Sequence, residues 1–153
     1  MLYRFLLGNV AFSAKRAAER EAAGLDASAP REYLVRQAGL QEGQSAAVFQ
    51  VALEFEQQDR QDVAREQALV AAYRAEARQA RAEGAPMPAF PVELAAIQQQ
   101  RDADALAARA KIETLLGADG FESLEVYVHR TFGHAKHLRL PVPSGMAVPG
   151  GGQ

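Results

Sequence analysis

The sequence predicts an all-α fold: a long antiparallel helical hairpin with additional terminal helices packed on it, four to five helices in all. Three observations carry that reading. Residues 44–83 contain neither proline nor glycine, a run that makes a helix about 60 Å long. Gly84-Ala85-Pro86-Met87-Pro88-Ala89-Phe90-Pro91 follows as a stiff connection, and a second helical pattern begins behind it. Val and Ile are sparse and scattered, which leaves little from which to build a sheet.

Each element has its own signals. Leu2, Phe5, Leu6, Asn9, Val10 and Ser13 follow helical spacing and predict a first helix to about Ala23, stopped by Gly24. The same run looks a little like a secretory signal segment, but Asn9 interrupts it and its apolar length is marginal. A structural helix is therefore the expectation. Ser28 and Pro30 suit the start of a short helix over 30–38, with Tyr33, Leu34, Gln37 and Ala38 facing inward and Gly39 ending it.

On the long helix, Val48, Val51, Ala52, Phe55, Val63, Val70, Tyr73 and Ala77 form one apolar stripe, widened by Phe49, Leu53 and Leu69. The stripe is interrupted near Asp59, Asp62 and Glu66, where the pattern predicts a poorly covered middle. The returning helix, 91–116, should face inward through Val92 or Leu94, then Ile97, Ala105, Ala108, Ile112 and Leu115, and stop at Gly117. Asp119 and Glu122 have the spacing of a capping pair for a last helix carrying Phe121, Leu124, Val128 and Phe132. Residues 1–137 read as a single helical domain, and the Pro- and Gly-rich residues 138–153 as a disordered tail.

Composition narrows the function classes. The chain has 153 residues, a net charge of −2 with both signs interspersed, and no cysteine. That balance offers no field for nucleic acid. Without cysteine there is no disulfide, thiolate catalysis or zinc–thiolate site. No segment approaches the ~18 apolar residues of a transmembrane span.

Candidate chemistry is sparse. His129, His134 and His137 cluster near the C-terminus, and histidine is a common metal ligand. Neither His-Glu-x-x-His nor Glu-x-x-His spacing is present, so a solvated basic helix end is the reading that fits. Glu54, Glu56, Asp59, Asp62 and Glu66 crowd one stretch, but Arg60 and Arg65 alternate with them at ion-pair spacings such as Glu56–Arg60. They read as a charged solvated face. Folding the hairpin about its proline turn places Glu66 near the level of Arg109, a pair that would set register. Arg74, Arg78 and Arg81 share a face near the hairpin tip and could meet an acidic partner or a lipid headgroup, diluted by Glu76 and Glu83. Ser13, Ser28, Ser45, Ser123 and Ser144 lie outside any Gly-x-Ser-x-Gly elbow, and no glycine loop cradles phosphate. No catalytic, cofactor-binding or metal residue is assigned, and an enzyme is not expected.

Leu40-Gln41-Glu42-Gly43-Gln44 resembles the L-T-x-x-Q motif of Spy/CpxP-like periplasmic proteins, with Gln41 where that family has a helix-capping Thr. The resemblance implies a small helical hairpin, often dimeric, acting as an ATP-independent chaperone or as an envelope-stress or metal sensor. Leu116 through Phe121 sits where a second such motif would begin. Tyr33-Leu34 with Gln37 through Leu40, Pro91 through Leu94, and Leu116-Gly117 with Phe121 and Leu124 are similar to uncharacterised secreted helical bacterial proteins, which implies export to the periplasm or beyond. The leading expectation is a non-enzymatic, chaperone-like or partner-binding module of the bacterial envelope, working through an exposed apolar stripe. A structural homodimer is the second, and a metal-responsive sensor using His129, His134 and His137 the third.

Overall fold

The computed structural model describes residues 2–133, and among them every regular element is helical. The order is α1 (Leu2–Ala22), α2 (Ser28–Arg31), α3 (Tyr33–Ala38), α4 (Glu42–Glu83) and α5 (Glu93–Phe132). The all-α hairpin fold expected from the sequence is the fold observed. Residues 138–153, read as a tail, lie outside the described residues.

α1 is a core helix. Leu6, Leu7, Val10 and Ala11 are fully buried against α4 and α5. Its inward face is turned by about one residue from the expected one. Tyr3, Leu7 and Ala11 point in, while Phe5 and Asn9 are exposed. Two equivalent i, i+3, i+4 rows run along this segment, and packing, not spacing, selects between them.

The short helical region is broken at Glu32 into α2 and α3. Ser28 is not a cap but the first helical residue. Its backbone N–H and its hydroxyl both donate to the Asp26 carboxylate, at 2.9 Å each. Leu34 and Ala38 enter the core as expected, whereas Gln37 stays exposed. Gly39 then adopts φ 67°, a left-handed helix stop that glycine takes without steric cost. This drops Leu40 into the core.

α4 starts two residues before the expected position. The Gln41 backbone N–H donates to Gln44 Oε1 at 3.0 Å, satisfying a donor that no helical carbonyl can reach. Val48, Val51, Ala52 and Phe55 bury its first half. α4 stops at Gly84, again with φ 67°.

α5 contains a sharp reversal at Gly117, where φ is 67° and ψ −179°. Arg109 Nη2 lies 3.0 Å from Glu125 Oε1 across sixteen positions. In a straight helix those residues would stand about 24 Å apart. Residues 118–132 therefore fold back along 93–116, which is the separate last helix expected from Gly117. The expected Asp119 cap is not used, because Asp119 is already helical. The inward row ends on Leu116 rather than Leu115, and on Leu94 rather than Val92. Tyr127 joins Phe121, Leu124 and Val128 in the core.

Candidate binding surface

The start of α1 marks where the bundle ends. Arg4 reaches Asp59 of α4 at 3.8 Å and Asp102 of α5 at 3.4 Å. Past that level, the hydrogen bonds, ion pairs and aromatic contacts among the described residues run only between or within α4 and α5. The rest of the hairpin is an arm. Its two helices run together only to about Tyr73, whose ring meets Phe90 of the connection. The last ten residues of α4, about 15 Å, therefore run past the start of α5, with residues 84–92 returning beside them.

A half-buried charge network sets the root of this arm. Arg101, 11% exposed, donates Nε to Asp59 Oδ1 and Nη1 to Glu66 Oε2, both at 2.7 Å. Gln98 adds a bond to the same Glu66 oxygen at 2.9 Å. The bond to Asp59, outweighing burial, together with the Glu66 charge, holds the guanidinium pKa above its ordinary value. The expected cross-hairpin partner of Glu66 was Arg109. The partner is Arg101, about two turns nearer the tip, because the nine residues 84–92 return along α4 before α5 begins. Arg109 turns instead to Glu125 and Glu113.

The carboxylate-rich middle of α4 is thus not the solvated face that its composition suggested. Asp62 is 1% exposed, and its Oδ2 has no hydrogen-bond partner among the described residues. Only Arg65, at 3.5 Å from Oδ1, approaches the carboxylate. The Glu56–Arg60 pair forms as expected at 2.9 Å, and Lys15 of α1 shares the same Glu56 oxygen. Glu54 pairs with Lys111 across the hairpin at 2.6 Å.

The arm is thinly covered and its outer part is apolar. Val63, Leu69, Val70, Tyr73 and Ala77 are only half-buried. Tyr73 meets Phe90 edge-on, with ring centroids 5.4 Å apart. On the connection Met87 is 51%, Phe90 64% and Val92 80% exposed. Sequence reasoning offered Val92 as an inward position and gave Met87 and Phe90 no role. The available signal was three large apolar residues within six positions, on a proline-stiffened turn that no other element overlies.

Beside the start of α1 lies a second, more polar cluster. The Tyr3 hydroxyl donates to Glu125 Oε1 at 2.5 Å, and Arg109 stacks over the rings of Tyr3 and Phe121 at 5.4 and 4.8 Å. Burial and the neighbouring carboxylate push the Tyr3 phenol up. Burial works to raise the Glu125 carboxyl, but the bonds from Tyr3 and Arg109 outweigh it and hold the group below its ordinary value. These residues line a cleft of about 540 Å³ with Leu2, Phe5 and Leu106 at its lips. Linear spacing concealed the cluster. Its one trace is that Arg109 and Glu125 lie equally far from Gly117.

Of the three histidines, His129 is exposed and pairs with Glu125 at 3.3 Å. His134 and His137 lie outside the described residues, as does Ser144. Among the described residues no group of three metal-ligating side chains converges. Ser45 is buried with its hydroxyl unpartnered, beside the Ala-lined groove between α1 and α4. Ser13, Ser28 and Ser123 have no histidine bonded to them. No described helix is long and apolar enough to cross a membrane.

Fold and surface together define an all-helical protein with a projecting arm. No family model matches the chain, and no curated protein or solved structure matches it.

Proposed function

We propose that the protein is a non-enzymatic binding module whose hairpin arm engages a protein partner or an unfolded client. The observation that carries this reading is the exposed cluster Met87, Phe90 and Val92 on the connection that returns along the outer part of the arm. Large apolar side chains grouped on a projecting arm lose water on contact with a partner. Prolines 86, 88 and 91 restrict the turn, so ordering it on binding costs less entropy. The stripe of α4 first suggested for this role is buried from Val48 to Phe55, so the binding surface moves to the outer part of the arm. The likeness to Spy/CpxP-like proteins around Leu40 to Gln44 supports a chaperone-like role in the bacterial periplasm.

The test is suppression of client aggregation by the full chain and by the double variant Met87→Ser/Phe90→Ser. The reading predicts protection by the parent and its loss in the variant at unchanged melting temperature. Equal protection by both would remove the tip from the function.

A homodimer is the second reading. It is favoured by the half-buried row Leu69, Val70 and Tyr73, which a second arm would cover to make a four-helix bundle. Light scattering over a concentration series separates the two, since a monomer throughout contradicts the dimer.

A further inference from the structure

Arginines elsewhere in the described chain are all engaged. Arg4, Arg31, Arg36, Arg60, Arg65, Arg101 and Arg109 are ion-paired. Arg16 stacks on Phe12, Arg20 donates to the Asp26 carbonyl, and Arg130 donates to that of Gln37. Arg74, Arg78 and Arg81 are different. All three are exposed, and none makes an ion pair, side-chain hydrogen bond or aromatic stack with another described residue. They recur at i, i+4 and i+7, so they stand in one row along α4 that rises about 10 Å towards the tip.

The row is single-signed. At about 100° per residue, Glu76 and Glu83 fall on the opposite side of α4, roughly 180° away. The dilution suggested by composition is absent on the surface itself. The inner row Tyr73, Ala77 and Ala80, half-buried, lies about 90° from the arginines, and Phe90 of the connection meets it at Tyr73. A segment lying along the arginine flank would therefore run lengthwise beside the arm, with Phe90 near its Arg74 end.

We propose that Arg74, Arg78 and Arg81 form a docking row for an acidic helical segment of a partner protein, with Phe90 and Met87 closing on an apolar residue at its end. This rests on the reading of the arm as the binding element and adds the chemistry of its partner. Carboxylates repeating at i, i+4 and i+7 on the partner match the arginine rise. A row aligned with the arm suits an elongated partner better than an anionic membrane. A bilayer meeting the tip end-on would reach Arg81 before Arg74, and would first meet Glu83 at the end of α4.

The experiment is fluorescence anisotropy with the full chain and three labelled helical peptides. They share one length and one terminal Leu–Phe pair. The first carries Glu at i, i+4 and i+7, the second Gln and the third Lys. The acidic peptide should bind about tenfold more tightly than the Gln peptide at low salt, the summed effect of three solvent-exposed ion pairs. The advantage should shrink as salt screens them. Arg74→Glu/Arg78→Glu/Arg81→Glu should reverse the order and favour the Lys peptide. Equal binding of all three peptides, or none, overturns the proposal. So does binding of the chain to vesicles containing phosphatidylserine without preference for the acidic peptide. If Met87→Ser/Phe90→Ser abolishes client protection while the arginine reversal leaves peptide order unchanged, the arm reading stands and the acidic partner falls. If client protection survives the tip variant but the peptide order reverses, the opposite holds.

Discussion

The Gln44 side-chain amide donates to the Leu116 carbonyl at 3.2 Å across seventy-two positions. Leu116 is the last residue before the chain reverses at Gly117, so its carbonyl has lost its helical donor. The same side chain accepts from the Gln41 backbone N–H. One glutamine therefore serves two helix termini. It ties the start of α4 to the turn in α5.

Gln44→Ala should cost about 1–2 kcal/mol in urea unfolding, because a cap and a turn carbonyl lose their partner together. Gly120 is coupled to this site. A Cβ there would stand 2.6 Å from Gln44 Nε2, so Gly120→Ala alone should displace the glutamine and destabilise. In the Gln44→Ala background the conflict with the amide is gone, and the added Ala should be close to neutral. A double-mutant cycle reads the difference as a coupling of about 1 kcal/mol.

Gly117 occupies φ 67° with ψ −179°, a combination open to glycine and strained for any side chain. Nothing crowds its Cβ position, so the cost of Gly117→Ala is conformational. It should lower stability by about 1–3 kcal/mol. Thermal unfolding checks this, and a matched Gly133→Ala, at a helical φ of −59°, should show no comparable loss.

At the root of the arm the two charged groups should behave oppositely. Arg101→Met strands Asp59 and Glu66 and should cost about 2–4 kcal/mol, the lower part of the range reflecting partial exposure of the carboxylates. Asp62→Asn or Asp62→Leu removes a buried charge with an unpartnered oxygen and should be neutral or stabilising by about 1–2 kcal/mol. Chemical denaturation of the two single variants decides it. A large loss on Asp62→Leu would mean that the carboxylate has a partner the described residues do not include.

Acid should loosen the fold-back of α5. Glu125 has a depressed folded pKa, so its contribution is full above the ordinary glutamate value of about 4.3 and is lost as pH falls through the depressed value. Glu125→Gln should therefore be less stable than the parent at neutral pH. The gap should close as pH drops below about 4. Melting temperatures between neutral and acid pH test this, and a constant gap would contradict the pairing with Tyr3 and Arg109.

Much of the fold could be read because helix punctuation is local. Gly39, Gly84 and Gly117 stop helices where their neighbours predict, and the proline turn bounds the hairpin. The inner rows of α4 and α5 followed from spacing, with an error of one residue at Leu115. What escaped was relational. Glu66 finds Arg101 rather than Arg109 because loop geometry sets register. Asp62 is buried at the root of the arm, which its charged neighbours on α4 do not announce. The tip was hidden for a different reason. An apolar residue in a turn has no periodicity to betray whether it is covered.

Site-directed photo-crosslinking tests the central assignment most directly. A benzophenone side chain would replace Phe90 in one variant and Leu106, exposed on the bundle, in another, each irradiated with an unfolded client. Strong adducts of client mass from position 90 and few from position 106 are predicted. Adducts from 106 with none from 90 would contradict the account and move the binding surface from the arm to the cleft beside α1.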